Sequence, residues 1–299
     1  MDVVAALPFD DELAKFIGKK GSENSIIFYN RKSGSDVIAA LMPNMEKFYS
    51  MLEVLTISDV VVASTKSIDK NLGEVIIACS LLGKHVLFTN DNEIGHGILS
   101  GVNLDYEVVE RSTVVEKIIE YGSKLQRPAG NARIDIDKAF NVKGIGTVVL
   151  GIVTRGTVHA HDTLVHSSGK SVSIRSIQSQ DEDISEASAG TRVGLAIKGM
   201  DYSEIGKGDI LSAKQVSAVK SIRLELNASA LAGEQISKGS IYGIGSNFSY
   251  SKATVESIEG NEALFKLESA MPVETGDKCL LDRQTVPRIF SAGTVKGYA

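Results

Sequence analysis

The chain has 299 residues, 43% hydrophobic and 23% charged, with a formal net charge of −5 and no tryptophan. This is a globular composition of two- or three-domain size, not a disordered one. The acidic balance excludes long-range attraction to nucleic acid, so DNA is not an expected partner and any RNA contact needs a local cationic patch. No apolar run approaches the ~20 residues that cross a bilayer. The start, MDVVAALPFDDELAKF, lacks a basic segment, so neither a membrane partner nor a signal peptide is expected.

In chain order, Asp10 or Asp11 suits the cap of a helix with Leu13, Phe16 and Ile17 on one face. A buried strand over 25–29 runs into a short loop containing Gly34, with room for a helix beyond. Met45, Phe48, Met51, Leu52 and Leu55 share helical spacing. DVVVAS (59–64) reads as a buried strand. LGEVIIACSLLGK (72–84) reads as a helix ended by Gly83 in a left-handed cap. HVLFTN is the next strand, and STVVEKIIEYGSKL is a closing helix capped by Ser112. This alternation predicts an α/β unit with a mostly parallel sheet over 1–127.

QRPAGNAR (126–133) reads as a linker. Beyond it, short alternating stretches separated by glycines predict β-barrels, over 134–213 and 214–299, with a break at SAKQVSAV. Gly144, Gly146 and Gly151 suit turns or close backbone approach. Gly190 reads as following an acidic helical turn. Cys79 and Cys279 sit among apolar neighbours, which fits small core residues and a reducing cytoplasm rather than a disulfide framework.

The segment IDIDKAFNVKGIGTVVLGIVTRG, followed by IRSIQ, EASAGTRVGLAIKG and DYSEIGKGDIL, resembles domain 2 of the translational GTPases. Within them it resembles the selenocysteine-specific elongation factor branch most. Residues 219–299, with VETGDKCLLDR and RIFSAGTV, resemble the third domain, without the C-terminal RNA-hairpin-binding extension. The resemblance implies a GTPase domain in front.

The phosphate loop of that family reads G-x-x-x-x-G-K-[ST]. Placed after the strand at 25–29, it puts Tyr29 at the first glycine, Gly34 at the second, Ser35 at the lysine and Asp36 at the magnesium-binding hydroxyl. A phosphate needs close amides and a cation, so this placement describes a degenerate site. Arg31 and Lys32 are the nearest substitutes. LMPNMEKF (41–48) resembles D-x-P-G-H-E-K-F with Leu41, Asn44 and Met45 at the altered positions, and the short gap before it implies a deleted helix and edge strand. The base-recognition motif N-K-x-D aligns with NDNE, keeping Asn90 and placing Glu93 at the aspartate. RST (111–113) stands at the closing motif. GTP and magnesium are therefore not expected as cofactors.

The resemblance also implies that the aminoacyl end of a tRNA lodges between the first unit and the first barrel. An Asp-Arg pair lines that pocket in the selenocysteine branch, and Asp137 and Lys138 stand in its place. An ordinary exposed pair is the alternative. Lys198, Lys207, Arg175 and Arg192 read as a tRNA-facing patch or as scattered solvated charges. His159, His161, His166 and Asp162 have a metal-like spacing but read as turn residues, so no metal is assigned. GKKGS (18–22) imitates a phosphate loop but reads as a helix end.

These observations predict a cytoplasmic elongation-factor relative that binds tRNA or aminoacyl-tRNA, with the ribosome as a further partner, and has lost GTP binding and hydrolysis. A residual GTPase using Lys32 and a protein-interaction module without RNA contact remain the alternatives.

Overall fold

The computed structural model describes residues 2–7, 10–44, 46–90, 92, 99, 101–127, 129–229 and 236–298. The first unit is a seven-stranded sheet in the order β2-β3-β4-β1-β5-β6-β7. Its strands are β1 (Asp2–Ala6), β2 (Lys19–Glu23), β3 (Ile26–Ser33), β4 (Asp36–Pro43), β5 (Val60–Ala63), β6 (His85–Thr89) and β7 (Asp105–Val109). β4, β1, β5, β6 and β7 run parallel, while β2-β3-β4 is an antiparallel margin.

The centre of the sheet explains the helix placement. Successive side chains of β1 point to opposite faces. Val3 and Ala5 pack with Leu13, Ala14 and Ile17 of α1 (Asp11–Ile17) and with Val114 and Ile118 of the last helix. Val4 and Ala6 pack with α2 (Tyr49–Ile57) and α3 (Lys70–Leu82). The last helix, α4, is Val114–Lys124.

Several expectations change here. No element is expected over the first residues, yet Asp2–Ala6 form β1, the central strand of the sheet. Phe16 is exposed and does not share the buried face of Leu13 and Ile17. Ser112 lies in a 3-10 turn ahead of α4 and caps nothing, whereas Gly83 ends α3 with φ 67°, as expected. GKKGS begins at the end of α1, where Gly18 is the cap and donates its N–H to the Ala14 carbonyl, and continues as the edge strand β2.

The first barrel comprises β8 (Arg133–Val142), β9 (Gly146–Arg155), β10 (Thr157–His159), β11 (Thr163–His166), β12 (Ser171–Ser179), β13 (Glu182–Ile184), β14 (Glu186–Ser188), β15 (Arg192–Lys198) and β16 (Ile210–Ser212). The order β11-β16-β8-β9-β15-β12 is closed by a β11–β12 pairing. The acidic stretch before Gly190 is two short strands, β13 against β12 and β14 against β10, not a helical turn. At Gly151 a Cβ would stand 2.5 Å from the Asp135 carbonyl oxygen, so the strand pair requires glycine there.

The second barrel is closed in the order β17-β20-β19-β18-β21-β22. Its strands are β17 (Ala218–Ala228), β18 (Ile241–Ser246), β19 (Ser249–Glu259), β20 (Glu262–Pro272), β21 (Lys278–Asp282) and β22 (Ile289–Tyr298). Each barrel encloses its own apolar core.

The three units share buried surface. Phe248, Leu280, Ile289 and Ala292 of the second barrel join the core that α2 and α3 form on the sheet. Glu74 of α3, 2% exposed, accepts the backbone N–H groups of Arg288 (2.6 Å) and Ile289 (2.8 Å). Arg288 in turn lies over the Phe48 ring, 3.6 Å from its centroid.

Candidate functional site

The stretch assigned to a phosphate loop is a β-hairpin. Ser33 pairs with Asp36 across a turn formed by Gly34, at φ 62°, and Ser35. Antiparallel pairing then continues to Ile26 opposite Pro43, so no helix follows Asp36. Tyr29 is fully buried, and its hydroxyl donates to Asp11 Oδ1 at 2.6 Å. Lys32 pairs with Glu182 of the first barrel and is not a substitute phosphate ligand within the first unit.

A phosphate loop links a strand to the helix that follows it. In this sheet that junction is β1 to α1, at the carboxyl ends of the central strands, where open α/β sheets take their ligands. The chain there reads Leu7, Pro8, Phe9, Asp10, Asp11, Glu12, without glycine or lysine. Asp10 caps α1 by accepting the Leu13 N–H at 2.8 Å, and Arg111 grips the same carboxylate at 3.0 and 3.3 Å. Burial pushes the Asp10 carboxyl up, but its bonds from Arg111, Leu13 and Ser64 hold it below its ordinary range.

A crevice of about 230 Å³ opens beside this junction. Asp10, Asp11, Glu12 and Asp69 contribute four carboxylates to it, and Lys66 is drawn to Glu12 at 2.7 Å. Like charges within a few ångströms repel a phosphate, and the more strongly where water is scarce.

The corrected placement also removes the inferred deletion: α1 and β2 are the helix and edge strand between the junction and Leu41. Leu41 is buried on β4 beside Ala6, and Asn44 opens the connection to α2. Asn90 is exposed just after β6, its N–H donated to the Val109 carbonyl. Glu93 and Met45 lie outside the described residues.

The second expected site is at the joint between the first unit and the first barrel. Ile136 pairs with Gly151 and Lys138 with Leu150, so Asp137 is the extra residue of a β-bulge. The bulge sends the two neighbours to different environments. Lys138 is exposed, its ammonium 5.9 Å from the Phe140 ring centroid. Asp137 is 5% exposed, and neither carboxylate oxygen has a hydrogen-bond partner. Burial raises its carboxyl above the usual range, opposed by Lys207, Arg192 and Lys138.

The cations beside Asp137 come from β15 and from the loop before β16. Arg192 lies over the Phe28 ring, 4.1 Å from its centroid, and donates to Asn30 Oδ1 (3.2 Å) and Ser22 Oγ (2.7 Å). Lys207 donates to Ser25 Oγ at 2.6 Å and pairs with Glu53 of α2. Glu53 is 2% exposed, and burial raises its carboxyl to about 7 despite that ammonium. Asp137 therefore feels Arg192 and Lys207 from within the joint as well as its exposed neighbour Lys138, without a direct bond to any of them.

A cleft of about 410 Å³ runs from Arg192 between the β2–β3 margin and the first barrel. Lys19 and Lys20 line one wall, and Gln178, Ser179 and Asp181 the other. The Ser179 hydroxyl is buried without a partner. Gln180 and Asp181 hold φ of 53° and 61°, a left-handed turn that non-glycine residues adopt at some cost.

The remaining candidates disperse. Arg175 donates to the Ile145 carbonyl and Lys198 is exposed, so they do not join Arg192 and Lys207 in one patch. His159 is exposed between Asp162 and Glu186, whereas His166 is buried against Asp209. Among the described residues, no group of three or more His, Cys, Asp or Glu side chains has a metal-holding arrangement.

The family profile of elongation factor Tu domain 2 matches residues 146–212. An uncharacterized protein of Methanocaldococcus jannaschii is 31% identical over 293 residues, covering 94% of this chain and 95% of that protein. The selenocysteine-specific elongation factor of the same organism is 32% identical over 178 residues, or 52% of this chain and 38% of the factor. The fold of translation elongation factor SelB from Methanococcus maripaludis, in its apo form, covers the whole chain at a TM-score of 0.81, with 22% identity. The chain belongs to the elongation-factor-like family of SelB relatives. It spans well under two thirds of the selenocysteine-specific factor it matches.

In this elongation-factor relative, sequence reasoning missed the β1–α1 junction and the surroundings that bury Asp137. The first had a signal: DVVAA is a β-branched apolar run ahead of a capping aspartate. The second had none, because Glu53, Phe28 and Ser22 meet the barrel only through tertiary docking.

Proposed function

We propose that this translation-factor-like protein receives the acceptor end of a tRNA, charged or uncharged, in the cleft between its first unit and first barrel, and does so without a GTP cycle. One observation carries the reading: a buried carboxylate without a hydrogen-bond partner, Asp137, lies in the joint close enough to feel the charge of Arg192, which itself lines that cleft. Buried charge is costly unless it is satisfied. An incoming amino or hydroxyl group would supply the missing donor, and Lys19 and Lys20 at the cleft wall suit a phosphodiester backbone.

Loss of the GTP cycle is supported by the carboxylate-lined crevice at the β1–α1 junction. Without a γ-phosphate to order a switch, binding and release would follow tRNA concentration alone. The ribosome is a further partner on the strength of the family relationship, and a cytoplasmic location follows from that role.

Filter binding with total tRNA, aminoacylated and deacylated, tests the proposal. Saturable retention of either form is expected, and retention of neither refutes it. Titration calorimetry with GTP and magnesium tests the second part separately: a saturating heat would restore the nucleotide cycle.

A further inference from the structure

A third cavity, of about 440 Å³, lies where all three units meet, away from the cleft and from the acidic crevice. Four of its cations come from separate segments: Lys84 precedes β6, Arg127 precedes the first barrel, Arg133 opens β8 and Arg155 ends β9. Asp59 and Asp277 are the carboxylates among its lining.

The arginines are compensated by neighbouring acids. Arg133, 4% exposed, is shared among Asp135, Asp277 and Glu274. Arg127 pairs with Asp59 and also donates to the Asp2 carbonyl. Arg155 donates through Nε to the Asn131 carbonyl and through Nη2 to Glu274.

Lys84 is different. Its ammonium donates to the Thr56 carbonyl at 3.2 Å and to the Ser58 carbonyl, and no carboxylate lies within ion-pair distance among the described residues. Two carbonyl dipoles satisfy two of its three donors, and Asp59, already paired with Arg127, acts on it only from beyond ion-pair distance. A half-buried cation without a close counter-ion is stabilised by losing its proton or by acquiring an anion. Burial does push its ionisation below the ordinary lysine range.

We propose that the three-unit junction is a binding site for a small phosphate-bearing anion, held by Lys84 and by the uncommitted edge of Arg155. The volume suits inorganic phosphate up to a compact phosphorylated metabolite. The walls come from the first unit and both barrels, so the ligand fastens all three. The site does not depend on tRNA binding in the cleft or on the fate of GTP.

The test is thermal unfolding of the whole chain with increasing inorganic phosphate or pyrophosphate, against chloride at matched ionic strength. A saturable rise in Tm of about 5 °C at a hundredfold excess over Kd is expected. Lys84→Met should abolish it, and Arg155→Gln, at the partly exposed rim, should raise the half-saturating concentration about tenfold. Arg155→Gln carries the test alone if Lys84→Met fails to fold. No saturable rise in the unmodified protein would overturn the site, as would an unchanged titration in the variants that fold. A rise seen only with a 5′-phosphorylated oligoribonucleotide would overturn it too, because that ligand belongs to an RNA surface.

Discussion

Glu53 offers the most direct check on how the first unit is docked to the first barrel. It lies on α2 at 2% exposure, faces Lys207 from the loop before β16, and shares the joint with Asp137, Lys47 and Arg192. Burial raises its carboxyl from 4.5 to about 7. Because the native state holds this proton more tightly than the unfolded chain, its contribution to stability is fully present below pH 4.5. It is lost as pH rises through 7. A shift of that size corresponds to about 3 kcal/mol. Glu53→Gln keeps a polar group of the same shape and removes the titration. Urea unfolding of both proteins between pH 4.5 and 8 isolates the effect, since all other groups titrate in both. The variant's stability should rise relative to the parent's by about 3 kcal/mol across that range. A difference that stays constant with pH would mean that Glu53 is hydrated and that the joint is not closed around it.

Two further substitutions probe the interfaces. Glu74→Ala leaves the backbone N–H groups of Arg288 and Ile289 unsatisfied in a buried joint and should lower stability by about 3 kcal/mol, read as the urea midpoint at constant slope. Asp137→Asn removes a buried carboxylate that no donor satisfies, so Tm should rise or hold while saturable tRNA retention weakens. A fall in Tm with retention unchanged would make Asp137 a structural residue and separate it from the proposed site.

The barrels were legible because their evidence is local. Alternation of apolar and polar residues along β12 selects a strand with one buried face, and Gly144 and Gly146 stand in a turn with positive φ while Gly151 sits in a close strand pair that excludes a side chain. The helices α2 and α3 were legible for the same reason, as was the left-handed stop at Gly83.

The carboxylate-lined crevice at the β1–α1 junction was not legible, because Ile26–Asn30 followed by a glycine fits both a hairpin and a strand-to-helix turn. What decides is the partner of DVIAALMP. Those residues pair in parallel with β1 and antiparallel with β3, contacts that no local window contains. Asp137 shows the same division. Its sequence position made it a candidate, but docking of the sheet margin onto the barrel buried it and brought Arg192 and Lys207 near it, while Lys138 stays exposed. Periodicity fixes which faces a segment can bury. Which faces meet is set by the shared burial of three units, where a carboxylate's surroundings depend on residues far away in the chain.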